Sequence, residues 1–123
     1  MAALALLFVA ILLSVTGEVL LKYGVNQVGV LELHPNNLIL VFTRVFTNIF
    51  IVCGFIFLFG GSIFWLSVIS RVPLSYAYPM LSTSYILVLT ASWLFLGEQI
   101  NIVRILGVLV IMTGVSLVFW SGQ

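Results

Sequence analysis

One acidic side chain, Glu18, sits within the apolar run Ala2 to Leu21, and Lys22 follows it four positions on. An ionisable group inside a bilayer span costs on the order of 2.5 kcal/mol or more unless something uses or satisfies it. Lys22 lies on the same helical face and nearer the membrane surface, an orientation that suits an intrahelical ion pair. Alternatively Lys22 snorkels to lipid headgroups and leaves Glu18 facing a cavity, free to bind a substrate headgroup or a coupled proton. Ser14 lies one turn deeper, with Thr16 and Gly17 beside it. This polar, small-residue stripe lines either a helix contact or a substrate path.

A second polar face falls in the third apolar segment. Ser75, Tyr78, Ser82 and Tyr85 follow one another at helical spacing, and Thr83, Ser84 and Thr90 flank them. Pro79, among them, removes one backbone hydrogen bond and exposes a carbonyl, which in a membrane is tolerated where a cavity or hydroxyls satisfy it. The competing reading is that each hydroxyl bonds its own helix, as membrane Ser and Thr commonly do. Trp65 is either a cavity wall or an interfacial anchor, the role expected of Trp120. Gly107 and Gly114 in the last segment, and Gly54, Gly60, Gly61 and Ser62 in the second, are small residues that let helices approach closely, within the unit or between subunits. Four helices enclose little room, so a path for a sizeable substrate implies a dimer, and the face of Gly107 and Gly114 is its candidate seam.

These residues need long helices to position them. The chain has 123 residues, 63% hydrophobic and 6% charged, with a mean hydropathy of +1.37, more apolar than a soluble core of this size can hide. The expectation is an all-α integral membrane protein, one domain over residues 1–123. Four stretches reach the roughly 20 residues needed to span the hydrocarbon core: about 2–23, 46–70, 74–96 and 102–120. The run from Leu38 to Ile69 is too long for one straight span, so Asn37 to Val45 is placed as a short interfacial helix with Arg44 reaching headgroups. Residues 24–37 form a polar turn region, and Arg71-Val-Pro73 and Gly97 to Asn101 are short enough to require antiparallel neighbours. The result is a four-helix, up-and-down unit. The first run lacks a basic leader and a cleavage pattern and is read as a retained helix.

The charges exclude other classes. A net charge of +1 supplies no basic patch for nucleic acid. Cys53 stands alone, which leaves no intrachain disulfide and makes it a small hydrophobe. No phosphate loop, metal-ligand cluster or nucleophile-base set is present, and His34 is isolated beside Pro35, so no enzyme, catalytic residue, metal or cofactor is expected. Lys22, Arg44 and Arg104 at one end against Arg71 and the terminal amine at the other give a slight N-out bias, also the signal of a dual-topology protein that forms antiparallel dimers.

At Ser14-Val-Thr-Gly-Glu-Val-Leu-Leu-Lys22, and again at Val72-Pro-Leu-Ser-Tyr-Ala-Tyr-Pro-Met-Leu-Ser82 through Phe95-Leu-Gly-Glu98, the chain resembles the four-helix members of the drug/metabolite transporter superfamily. The resemblance covers nearly everything outside residues 24 to 44 and implies a multi-pass bacterial inner-membrane protein. Two branches compete. The small multidrug resistance transporters are antiparallel homodimers that exchange protons for lipophilic cations at a first-helix glutamate. Aligned with that pattern, the proton site falls on Ser14, Tyr78 matches the essential tyrosine, and Leu81 replaces a cavity tryptophan. The small EamA-like flippase subunits, typified by those proposed to move aminoarabinose-phosphoundecaprenol, match from Ser14 to Lys22 without a gap, usually with glutamine in place of Glu18, and share Ala77 to Ser82 and the long first loop. The resemblance therefore implies a flippase subunit for a lipid-linked or amphiphilic substrate. Ser14, Glu18, Lys22, Trp65, Tyr78, Ser82 and Tyr85 are its candidate substrate contacts, and it is paired as a homodimer or with a similar four-helix subunit. A proton-coupled exporter of lipophilic cations and a non-transporting scaffold subunit are the alternatives.

Overall fold

A computed structural model describes residues 2–121; residues 1, 122 and 123, the ends of the expected domain, lie outside the described residues. Among the described residues the chain is all-helical: α1 Ala2–Val28, α2 Leu38–Thr47, α3 Ile49–Ile69, α4 Leu74–Leu81, α5 Ser84–Phe95 and α6 Ile102–Ser121. Three helices, α1, α3 and α6, are long and apolar enough to cross a membrane. With a rise of about 1.5 Å per residue, α3 and α6 each measure roughly 30 Å, the thickness of the hydrocarbon core. The chain is a multi-pass membrane protein.

The first helix overruns its expected end by five residues, because Gly24, Asn26 and Gln27 are helical and not part of the turn region. Gly24 is buried, and a Cβ on it would lie 2.5 Å from Ile51 Cγ1 and 2.9 Å from Asn48 Oδ1. Gln27 Oε1 accepts from Asn48 Nδ2 at 3.1 Å. Polar residues stay helical here because their partners come from the start of α3. The helix stops at Gly29, whose φ of 101° lies in the left-handed region that favours glycine.

The same Asn48 explains the boundary between α2 and α3. Its backbone is extended, with φ −84° and ψ 122°, and its side chain accepts from the N–H groups of Phe50 and Ile51 at 3.0 and 3.3 Å, capping α3. The helix before it is therefore separate, as the overlong run from Leu38 to Ile69 requires. Its bounds shift by about two residues from those expected, to Leu38–Thr47. Phe42 and Phe46 stack with centroids 6.0 Å apart, and Phe46 stacks on Phe55 of α3 at 5.8 Å, fixing α2 against the outside of α3.

The main contact of the fold is α1 against α3, antiparallel and backbone to backbone. Gly17 opposes Gly54, and Gly61 opposes Ala10 and Ser14. Interfaces between membrane helices gain little from hydrophobic exclusion, since lipid is as apolar as leucine, so close van der Waals packing at small residues takes its place. A core of Leu7, Ile11, Val15, Val68, Ala77, Met80 and Val115 joins α1, α3, α4 and α6. Most other large apolar side chains face outward, as a lipid solvent permits; Phe59 and Val110 are each 72% exposed.

The helix expected over 74–96 is divided. It ends at Leu81 and resumes at Ser84, with Ser82 and Thr83 both right-handed helical in backbone but bonded in tighter three-residue turns: Ser82 N–H to Pro79 O at 2.9 Å, Thr83 N–H to Met80 O at 3.2 Å and Tyr85 N–H to Ser82 O at 3.0 Å. Pro79 has no N–H to bond Ser75 O, which weakens the turn before it, while the tighter turns themselves fall just after it. Neither piece alone is long enough to cross a membrane. Past α5, Gly97 takes a φ of 66° and turns the chain toward α6.

Candidate functional site

Glu18 follows Gly17 in sequence and points elsewhere. Gly17 is turned onto α3, and a step of about 100° round the helix carries the next side chain off that contact. Glu18 lies instead on the face of Ile11 and Val15, which are buried, while Glu18 itself is exposed. Burial on this face therefore stops within one turn, between Val15 and Glu18, although α5 continues past that level. Lys22, one turn further on, is also exposed. The two side chains do not pair: among the described residues the ion pair within 4.0 Å is His34 with Glu32, at 3.9 Å in the loop after α1. The intrahelical pairing of Glu18 with Lys22 is thus not adopted, and both heads are exposed and unpaired among the described residues.

Ser14 belongs to the helix contact. Its Oγ lies 2.8 Å from where a Cβ on Gly61 would stand, so it fills the space that Gly61 leaves. Of the two roles read for its stripe, the position matches packing. Thr16 is likewise occupied, its hydroxyl donating to Leu12 O at 2.7 Å.

Trp65 and Tyr78 come together. Their rings meet edge to face with centroids 6.0 Å apart at an interplanar angle of 75°, joining α3 to α4. Tyr78 is nevertheless 62% exposed, so one side of its ring remains open. Since Gly61 is level with Ala10 and Ser14, the Trp65 and Tyr78 pair sits roughly 15 Å from Glu18 along the bundle. The candidate residues thus occupy two levels and not one cluster.

Between these levels runs the hydroxyl face of α4 and α5. Thr83 donates to Met80 O at 2.9 Å and Thr90 to Ile86 O at 2.8 Å, so those threonines satisfy their own helices. The hydroxyls of Ser75, Tyr78, Ser82 and Tyr85 make no hydrogen bond within the chain among the described residues, and the same is true of Tyr76 and Ser84 beside them. Tyr85 lies about 10 Å beyond Tyr78 along the helix direction, a little short of the level of Glu18. The tight turns at Ser82 and Thr83 bend this face without ending it. A string of unused hydroxyls, with an aromatic pair at one end and a free carboxylate and ammonium near the other, presents hydrogen-bonding groups to a long polar ligand.

Gly107 and Gly114 pack against nothing within the chain; a Cβ on either meets no atom within 4 Å. α6 buries Val115, half-buries Val108, Met112 and Val118 around it, and presents the rest of its surface outward. Arg44, on the exposed polar side of α2, lines an open hollow of about 280 Å³ with Val28, Thr47 and Asn48. Among the described residues no group of three or more His, Cys, Asp and Glu stands close enough to hold a metal ion.

Sequence reasoning missed two features. The bracing of α1, α2 and α3 by Asn48 was available as an asparagine between two apolar runs, a helix-cap signal. The hollow around Trp93 and Glu98, described below, depends on how α5 and α6 diverge and has no local signature.

Comparison with known proteins bears on what this arrangement does. The chain is 45% identical over 60 residues to a protein of Yersinia pestis named probable 4-amino-4-deoxy-L-arabinose-phosphoundecaprenol flippase subunit ArnE, an alignment covering 49% of this chain and 53% of that one. It is 38% identical over 71 residues to the protein of the same name from Hamiltonella defensa subsp. Acyrthosiphon pisum, covering 58% of this chain and 64% of that one. The chain spans about half the length of the curated Yersinia relatives it matches. No family model and no solved structure matches. The relatives are named as flippase subunits, which are transporters and not enzymes.

Proposed function

We propose that this chain is a subunit of a flippase that carries a polyprenyl-phosphate-linked sugar, or a related amphiphile, across the bacterial inner membrane. The observation that carries this reading is the similarity to flippase subunits, at up to 45% identity over 60 residues. The open hydroxyl face and the unpaired Glu18 and Lys22 support it, because a sugar phosphate on a long isoprenoid chain needs polar contacts at several depths beside a lipid-facing surface.

In this reading α4 and α5 together make the fourth span. Their 22 residues, Leu74 to Phe95, reach about 33 Å, and the bend after Pro79 is tolerated where irregular backbone lines a polar groove. The short connections at either end give an up-and-down topology, with α2 lying in the interface and Arg44 among headgroups. Ser75, Tyr78, Ser82 and Tyr85 contact the sugar, Trp65 supports Tyr78, and Glu18 and Lys22 engage the charged head. The word subunit in the relatives' names supports pairing with a second, similar four-helix chain or another copy, for which the unpacked Gly107 and Gly114 face is the seam.

The test is flux in proteoliposomes, with a fluorescent polyprenyl-phosphate sugar and, separately, a lipophilic cation, with and without a pH gradient. Movement of the lipid-linked sugar by the reconstituted chain with its partner supports the proposal. Gradient-dependent cation flux without sugar movement would replace it with a proton-coupled exporter, and assembly of a partner with no flux of either would leave a scaffold.

A further inference from the structure

We infer that the turn between α5 and α6 holds a second ligand site, where the Glu98 carboxylate and the Trp93 ring receive the primary ammonium group of an amphiphile whose apolar chain lies along the seam between the two helices. The placement follows from the end of α5. Gly97 turns the chain through a positive φ, and the N–H of Glu98 donates back to Ser92 O at 3.1 Å, which holds Glu98 against the last turn of its own helix. Asn101 Oδ1 then accepts from Arg104 N–H at 2.8 Å and starts α6.

Two hollows meet at this corner, sharing Trp93 and Ile100. One, of about 470 Å³, is walled by Gly97, Glu98 and Gln99 at the turn between the helices. The other, of about 320 Å³, continues between the helices along Leu89, Thr90 and Ile105. Thr90 adds little polarity to it, since its hydroxyl is given to Ile86 O. A polar mouth thus leads into an apolar crevice, the shape of a head and a tail.

The charge selects the head. Glu98 has no ion-pair partner within 4.0 Å among the described residues, and the nearby cation Arg104 is directed onto Gln99 O, at 3.2 Å, instead of the carboxylate. One carboxylate-bearing and one indole-bearing residue on the same hollow suit a compact cation: the ammonium would donate to the carboxylate and lie against the ring. A metal ion would need more ligands than this corner offers. The ordinary structural role for Glu98, a negative charge just ahead of the α6 N-terminus, stabilises the helix whatever is bound and predicts no preference among ligands.

The site begins one turn beyond Tyr85 on α5 and uses none of the proposed sugar-contacting residues, and its test reads binding and not flux, so its failure leaves the proposed function standing. Trp65→Phe and Trp120→Phe in the full chain leave Trp93 as the one emitting tryptophan of the three. In neutral maltoside micelles this protein is titrated with dodecylammonium, dodecanol and dodecyl sulfate. Dodecylammonium should saturate the emission change at a concentration at least about tenfold below dodecanol, with no saturable change from the sulfate, and Glu98→Gln should abolish that preference. Glu98→Asp, which keeps the charge, should retain part of it and controls for any loss of folding in the glutamine variant. Equal response to dodecylammonium and dodecanol, or a preference that survives Glu98→Gln, would overturn the assignment. Vesicles then separate the sources. Stronger Trp93 quenching by tail-brominated phosphatidylethanolamine than by phosphatidylglycerol with the same tails, lost in Glu98→Gln, assigns the site to a bilayer lipid. Equal quenching with the micellar preference intact assigns it to another ammonium amphiphile.

Discussion

Gly17 and Gly54 face each other so closely that a Cβ built on Gly17 would lie 2.7 Å from the carbonyl oxygen of Gly54, and one on Gly54 would lie 2.8 Å from that of Gly17. This contact sets the rotation of α1. Because Gly17 is turned onto α3, Glu18 is turned away from it, onto the face of Ile11 and Val15 at a level where that face is exposed. The packing of two glycines thereby decides what the one carboxylate of the first span can reach.

Adding a methyl at either position should force the two backbones apart. Gly17→Ala and Gly54→Ala are each expected to lower unfolding stability in mild micelles by about 1–3 kcal/mol, the usual cost of overpacking a close contact. Gly60→Ala is the control, since the nearest atom to its added Cβ stands 3.9 Å away, an ordinary contact. The midpoint of denaturant unfolding, followed by circular dichroism, checks the three. Equal midpoints for Gly60→Ala and Gly54→Ala would mean that α1 and α3 do not meet through these glycines.

Asn48 caps α3 and holds Gln27 at the end of α1. Asn48→Ala should cost roughly 1 kcal/mol, within the range for a lost cap, and should speed amide exchange both in the first turn of α3 and in the last turn of α1. Asn48→Asp keeps the cap acceptor but not the donor to Gln27. It should protect the start of α3 while leaving residues 24–28 loosened. A local effect confined to α3 in the alanine variant would show that the tie to Gln27 carries nothing.

Gly107 and Gly114 tell a different story from Gly17 and Gly54, because a side chain at either meets nothing inside the chain. Gly114→Leu should therefore leave the unfolding midpoint of the monomer within about 0.5 kcal/mol of the parent. Cross-linking in mild detergent should show less oligomer. Unchanged assembly would place the subunit seam on another face.

Arg44 and the threonines of α2 lie on one side of that helix, with Leu40 among them, and Leu38, Val41, Phe42 and Val45 lie on the other. A cysteine-labelling scan through residues 38–45 in vesicles, carried out in a background with Cys53 replaced, should give accessible positions at helical spacing around Arg44 and protected ones at Leu38, Val41 and Val45. Uniform protection from aqueous reagents would bury α2 and remove it from the interface.

Hydropathy alone was enough to find α1, α3 and α6, because a span of about 20 apolar residues has few other uses. The separate α2 was also readable, since 32 residues from Leu38 to Ile69 cannot cross a bilayer in one straight helix. Pro79 warned of trouble in the third segment, but the division falls three residues later, at Ser82 and Thr83, where the chain takes tighter three-residue turns that no local residue type announces. Gly24 read as the start of a loop and proved to be a helix contact, because nothing local to it reveals Ile51 and Asn48 on the facing helix. The candidate site shows the same limit. Residue types identified Glu18, Lys22 and the hydroxyl face, whereas the packing of Ser14 on Gly61, the contact of Trp65 with Tyr78 and the separation of the two levels all depend on which helix faces meet.

The most direct measurement is the flux of a fluorescent polyprenyl-phosphate sugar through proteoliposomes containing the chain and its partner, compared between the parent and the variants Glu18→Gln, Lys22→Gln and Tyr78→Phe with Tyr85→Phe. Glutamine keeps the shape and hydrogen bonding of Glu18 without its charge, and it is the residue expected there from the flippase-like pattern that the sequence resembles, so Glu18→Gln should retain sugar flux. Because Glu18 and Lys22 do not pair, neither single glutamine variant should shift the unfolding midpoint by more than about 0.5 kcal/mol. Lys22→Gln should slow sugar flux by weakening the hold on phosphate, and removal of the two tyrosine hydroxyls should slow it about tenfold or more, the loss of one to two good hydrogen bonds. Sugar flux indifferent to both tyrosines and to Lys22, or cation flux that requires the pH gradient and vanishes with Glu18→Gln, would contradict the account.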